Sequence, residues 1–280
     1  MRMSFALLPK PSPPLLNKQG ASARAQNFCA NCPIDFLKNY GIIIIVKREK
    51  KLSPLQKGNK KMIDVHTPII MIDTETTNDI DCPIVYDVGY QIFTLADGVL
   101  CEKSFVNADV FCDADLMASA YFIEKMPDYW ADIVAGRRTL RKWYNIKREL
   151  AEDCKKYGVE IACAHNASFD NRALNTTQRY ITTSKNRYFL PFGVEWWDTL
   201  KMARKLLKSN DSFGEFCYEN DYLTKNGCRR YTAEIIYRWL SGKHEFIESH
   251  TGLEDVKIEK EIFKYCISTD PEIDGRLWAK

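Results

Sequence analysis

Pro68-Ile69-Ile70-Met71-Ile72 is an apolar run that stops at two carboxylates one residue apart, Asp73 and Glu75. Such a run fits a strand leaving a hydrophobic core, and on a strand residues i and i+2 share a face. Asp73 and Glu75 are therefore expected side by side where the strand emerges. Adjacent carboxylates repel unless a positive charge lies between them, and a divalent cation commonly fills that place. Acid and threonine alternate on many surface strands, so the pair gains meaning only from further acids placed later in the chain.

A second apolar stretch, Val159 to Ala164, reads as another buried strand and leads into His165-Asn166-Ala167-Ser168-Phe169-Asp170. The residues from Ala167 to Leu174 read as a helix start with Ser168 as N-cap, which sets Asp170 in the first turn near the end of a neighbouring strand. An aspartate there can also serve the helix dipole alone. Further on, His250-Thr251-Gly252-Leu253-Glu254-Asp255 runs into Val256, Ile258, Ile262, Phe263 and Cys266, which recur at roughly helical spacing. Asp255 then sits near the start of an amphipathic helix, with His250 on the loop before it. Histidine is the side chain best suited to accept a proton near neutral pH.

Asp73 and Glu75, then Asp170, then His250 and Asp255 resemble the three exonuclease motifs of the DnaQ-like 3′→5′ exonucleases, the DEDD type with histidine (DEDDh). The likeness spans residues 66–270, and the stretch from Tyr231 to Cys266 looks most like exonucleases of bacteriophages and Gram-positive bacteria. Two departures stand out. Asp87-Val88-Gly89 replaces the Glu-Ile-Gly of many members, and the segment from Ser209 to Arg230 is longer than in minimal members.

The resemblance implies an α/β, ribonuclease H-like fold: a mixed five-stranded sheet, second strand antiparallel, flanked by helices, with the first strand central. It also implies two Mg²⁺ or Mn²⁺ ions. Asp73 would bridge both, Glu75 and Asp255 would complete the site of the attacking water, Asp170 would support the second ion, and His250 would be the general base. Four carboxylates suit hard cations, whereas zinc prefers His and Cys. The implied reaction removes 5′-mononucleotides from the 3′ end of single-stranded DNA. By the same analogy Thr74 and Thr76 meet the terminal nucleotide, Asn166 and Phe169 meet the next one, and a DNA polymerase is one partner. Two rivals are a 3′→5′ exoribonuclease of the same superfamily, acting on RNA 3′ ends, and a silent nucleic-acid-binding subunit, which predicts a missing ligand where all five residues are present. A nucleotidyl transferase would not account for His250.

Charge divides the chain. Residues 1–61 carry 12 Lys and Arg against Asp35 and Glu49, which leaves 28 basic against 35 acidic residues in 62–280. An acidic body suits a site that collects cations and argues against a broad basic nucleic-acid surface. The first 61 residues read as a basic, disordered extension, either an arm for nucleic acid, a targeting peptide, or a mis-assigned start with translation truly beginning at Met62. Residues 62–280 read as the exonuclease domain. The Ile42–Val46 run is too short to span a membrane. The ten cysteines lack a disulfide rhythm, which suits reduced thiols in the cytoplasm of a bacterial or phage-infected cell. Cys29-Ala30-Asn31-Cys32 is half of a zinc site with no second half.

Strands are expected near 68–75, 84–94, 99–106, 159–164 and 194–197, with Ala96-Asp97-Gly98 turning the second into the third. Alternation in Tyr86, Val88, Tyr90 and Ile92 predicts a half-buried second strand. Helices are expected near 113–125 and 137–157, and another after Asp198 or Thr199 as N-cap, with Asp198 structural. Phe213, Phe216, Tyr218 and Tyr222 read as core aromatics rather than base-stacking ones. His165 reads as structural, and His66 and His244 carry no signal.

Overall fold

The computed structural model describes residues 63–278; the expectations for residues 1–61, including the start at Met62, the Ile42–Val46 run and the Cys29/Cys32 pair, lie outside them. Six strands form one sheet: β1 (Ile69–Thr77), β2 (Ile84–Thr94), β3 (Gly98–Asn107), β4 (Thr139–Arg141), β5 (Ile161–Ala164) and β6 (Glu195–Asp198). Their order is β4-β3-β2-β1-β5-β6. β2 runs antiparallel to both β1 and β3, and every other pairing is parallel. This is the mixed sheet implied for a ribonuclease H-like chain, with β1 central and one strand more than expected.

The extra strand, β4, lies within a segment expected to be helical from residue 137. Its residues add to the free edge of β3, and the helix starts only at Trp143. The helix expected over 113–125 is also broken. Before that span comes α1 (Ala108–Phe111), within it lie only α2 (Ala114–Met117) and a 3₁₀ turn at Ile123–Lys125, and after it comes α3 (Met126–Val134). Asn107 and Asp113 each cap a short helix by accepting local backbone N–H groups, which starts a new helix before the last can extend. The remaining helices are α4 (Trp143–Tyr157), α5 (Ala167–Ile181), α6 (Thr199–Leu207), α7 (Asp211–Glu219), α8 (Ala233–Ser241) and α9 (Gly252–Thr269).

Alternation along β1 sorts its side chains onto two layers. Ile69 and Met71 face a core built with α6, α7, α8 and α9, including Met202, Phe213, Ile236, Val256 and Phe263. Ile70 and Ile72 face a second core with α4 and α5, including Trp143, Ile146, Leu150 and Leu174. A third cluster fills the space between α1, α2, α3 and the ends of β2 and β3. β2 is buried along its whole length rather than half-buried. The positions between Tyr86, Val88, Tyr90 and Ile92 are covered by α9: Gln91 accepts a hydrogen bond from Lys260 Nζ at 2.7 Å, and Phe93 meets Phe263 edge to face. Among the described residues no helix is long and apolar enough to cross a membrane, and no disulfide joins the described cysteines to one another.

Candidate active site

Continuing the β1 alternation beyond Met71 carries Asp73 and Glu75 toward α9, while Thr74 turns to the α5 side. The same strand therefore addresses both helices that bear acids. On one side, ligand atoms of Asp73, Glu75 and Asp255 lie within 4.8 Å of one another. On the other, the Thr74 hydroxyl donates to Asp170 Oδ1 at 2.9 Å. Asp170 sits in the first turn of α5, as expected. Its N-cap is Asn166 rather than Ser168, and Asn166 adopts a left-handed conformation with φ 71°. Such a conformation suits asparagine better than serine, and it lets the chain turn from β5 into α5 within two residues.

Asp255 reaches the pair on β1 because two glycines let backbones touch. A Cβ on Gly89 would lie 2.0 Å from Leu253 N, and one on Gly252 would lie 2.6 Å from Gly89 N and 3.0 Å from Asp73 O. Neither position has room for a side chain, so the first turn of α9 rests directly on β1 and β2. Asp87 completes the joint. Its Oδ2 accepts from Gly252 N (3.0 Å), Tyr129 Oη (2.7 Å) and Arg138 Nη1 (3.0 Å). The departure at Asp87-Val88-Gly89 thus seats the helix of the third motif. Asp87 Oδ1 is buried with no hydrogen-bond partner among the described residues.

The acids are held under electrostatic tension. Burial, followed by the neighbouring carboxylates, pushes Asp73 and Glu75 well above the ordinary carboxylate range, although both keep some solvent contact and are half-buried. Burial also raises Asp170 and Asp255 to about 7, against the opposing hydrogen bonds from Thr74 to Asp170 and from Ser249 and Thr251 to Asp255. An all-oxygen donor set of this kind, crowded and short of positive charge, fits a hard divalent cation.

Two more acids join the cluster that the motifs did not single out. Glu259, 3% exposed, follows Asp255 by one helical turn on the same face of α9, and its Oε2 accepts the His165 backbone N–H at 3.1 Å. Among the carboxylates that raise Asp73, Glu259 acts most strongly. The sequence does hold a signal for it, an acid within the stripe formed by Val256, Ile262, Phe263 and Cys266. Glu248 is raised to about 8 by burial and then by Asp255 and Glu234.

His250 stands beside the carboxylates rather than among them. Its ring stacks on Phe122 with centroids 4.4 Å apart and planes 13° apart, and its Nδ1 lies 4.0 Å from Glu248 Oε2. Burial, then Lys125, lowers its pKa, which favours the neutral, proton-accepting form.

Solved structures with a similar chain path include exonucleases. Exonuclease X in complex with 5′ overhanging duplex DNA is 16% identical, with 72% of this chain and 92% of that one covered and a TM-score of 0.37. E. coli exonuclease I in complex with a dA16 oligonucleotide is 12% identical, with 72% and 41% covered and a TM-score of 0.42. Exonuclease I with a 5cy-dT13 oligonucleotide gives 12%, 73%, 41% and 0.43. The chain thus spans about two fifths of exonuclease I. No family model and no curated protein matches this sequence.

The positions expected to meet substrate are spread around the carboxylates. Thr74 is buried and engaged with Asp170, and Thr76 is half-buried at the irregularity in the β1–β2 pairing. Asn166 is exposed, and half-buried Phe169 has the Arg172 guanidinium 5.6 Å from its ring centre. Asp198 is structural, as expected: its Oδ1 accepts from Leu200 N (2.9 Å) and Lys201 N (3.4 Å) at the start of α6, and also from Asn166 N (3.1 Å). His165 is half-buried and held through Thr199 Oγ1 and the Tyr231 carbonyl. Phe213 and Phe216 are core residues and Tyr222 packs against them, whereas Tyr218 is 77% exposed.

Proposed function

We propose that residues 62–280 form a divalent-cation-dependent 3′→5′ exonuclease of the DnaQ-like, DEDDh type, which removes 5′-mononucleotides from the 3′ end of single-stranded DNA. The observation that carries this reading is the convergence of Asp73, Glu75 and Asp255 to within 4.8 Å, with Asp170 tied to the same strand through Thr74. Chain order and chemistry both support it: the four acids come from one strand end and two helix starts, and nothing but oxygen is offered.

Asp73, Glu75 and Asp255 would hold one Mg²⁺ or Mn²⁺, and Asp73 with Asp170 a second. Bound there, the pair would supply an activated water, neutralise charge on the phosphate and stabilise the departing 3′ oxygen. The protein's own residues do the rest. Thr74 holds Asp170 in place, Ser249 and Thr251 orient Asp255, and neutral His250 takes the proton released by the attacking water. The backbone around Thr74 and Thr76 would meet the terminal nucleotide, and Asn166 and Phe169 the next one.

The test is cleavage of end-labelled single-stranded DNA and RNA by the full chain with Mg²⁺ or Mn²⁺, beside Asp73→Ala. Cation-dependent shortening of DNA from the 3′ end, abolished in the folded variant, is the expected outcome. Preference for RNA would assign the exoribonuclease instead. A folded protein that binds the strand and cuts neither would leave a silent binding subunit.

A further inference from the structure

Resting on the reading of His250 as general base, we propose that Phe122, outside all three motifs, is the positioning residue that fixes the plane of the His250 ring. His250 has a φ of 48°, a left-handed conformation uncommon for a residue other than glycine. Such a backbone persists only where its surroundings over-determine it. Here both flanks are tied to one carboxylate: Ser249 Oγ lies 3.2 Å from Asp255 Oδ1, and Thr251 N donates to Asp255 Oδ2 at 3.0 Å. Lys125 Nζ adds a hydrogen bond to the Ser249 carbonyl. The residues on either side of His250 are therefore held by Asp255 and Lys125.

The ring is a separate matter. Neither ring nitrogen of His250 makes a hydrogen bond to the described residues. The face-to-face contact with Phe122 is what defines its plane. Phe122 is itself held in place. Tyr121 packs edge-on against it with centroids 4.7 Å apart, and Lys125 Nζ lies 4.5 Å from its ring centre.

The segment that carries Phe122 is anchored to the strand of the first motif. Ser119 Oγ lies 2.8 Å from Thr77 Oγ1 and accepts Asn78 N–H at 3.0 Å. Thr77 Oγ1 also donates to the Leu116 carbonyl. The imidazole plane is thus referenced, through Phe122 and Ser119, to the end of β1, two residues beyond Glu75. Proton transfer depends on such alignment, and small misplacements of a catalytic group lower turnover steeply.

The experiment combines Phe122→Ala, Phe122→Leu and Phe122→Tyr with His250→Ala in the full chain. It measures kcat and KM on an end-labelled strand, Mn²⁺ affinity by calorimetry, and the His250 ring-proton resonances by NMR. In the presence of His250, Phe122→Ala should lower kcat about tenfold, with KM and Mn²⁺ affinity unchanged. Phe122→Leu fills the space without a flat face and should match it, keeping the test intact if the alanine variant does not fold. Phe122→Tyr should restore kcat. In His250→Ala, removing Phe122 should cost nothing more, because the two act as one unit. The His250 ring protons should shift when the aromatic face is lost.

Unchanged kcat on loss of the ring, or an equal further loss in His250→Ala, would overturn this inference and leave the proposed function standing. A wild type that cleaves no strand, or a fully active His250→Ala, would overturn the reading of the site and this inference with it.

Discussion

The two halves of the candidate site are built by opposite means. The carboxylate half rests on regular structure, a central strand and a helix whose backbones meet at Gly89 and Gly252 with no space between them. The histidine half rests on a loop, with a left-handed residue, a stacked ring and a few hydrogen bonds. The carboxylates gathered at this joint stand where displacement requires moving a helix. His250 is placed on a loop, where one aromatic contact rather than packed backbone sets its ring.

The largest effect should come from the joint itself. Gly89→Ala drives a methyl into the main chain at Leu253, which cannot step aside as a side chain could. It should cost about 3 kcal/mol or more of stability, read by denaturant unfolding, and should displace Asp255 along with α9. A variant as stable as the parent would show that the helix can shift without penalty, and the contrast between the rigid half and the loop would fail.

His250→Ala should leave unfolding unchanged and lower turnover roughly a hundredfold. Full activity at neutral pH would remove His250 from the chemistry. If it instead unfolded the protein, the loop would belong to the rigid half.

Stability in the absence of cation should report the tension among the acids. Asp170 and Asp255 are raised to about 7 when folded, against roughly 4 when unfolded. Between those values the native state binds more protons, so stability falls as pH rises from about 4 to 7 and stays low above it. Mg²⁺ or Mn²⁺ should reverse that loss at pH 8, seen as a rise in Tm. A Tm independent of pH across this window would mean that the acids are not crowded in solution.

The smallest effect concerns Glu259. Glu259→Gln keeps an acceptor for the His165 N–H while removing a carboxyl that burial and the neighbouring acids make costly to ionise. It should stabilise the cation-free protein at pH 8 by roughly 1 kcal/mol, and a loss of stability would show that the charge is compensated.

How much of this was legible in the sequence differed with distance along the chain. The strand bearing Asp73 and Glu75, the helix turns bearing Asp170 and Asp255, and the cap at Asp198 all follow from local pattern, and each is found where expected. What escaped depends on partners far away. Full burial of β2 follows from α9 lying across it, which alternation within β2 cannot reveal. β4 forms because β3 has a free edge, and three residues carry too little pattern to show it. Glu259 sits in an otherwise apolar stripe, a local anomaly whose meaning depends on Asp73 and Asp170 being near. Phe122 lies in a segment whose pattern reads as helical, and only the broken helix turns its ring toward His250.

The order of the elements has one more consequence. β1, β2 and β3 are neighbours in sequence as well as in the sheet, so their pairing closes short loops, which is the fast route in folding. Asp73 and Asp255, by contrast, lie near opposite ends of the described residues. A chain emerging from the ribosome amino end first presents the strand pair early and lacks the third motif until almost all of this fold has been made. The carboxylate cluster can close only once α9 has been made, so a shorter nascent chain carries Asp73, Glu75 and Asp170 without Asp255.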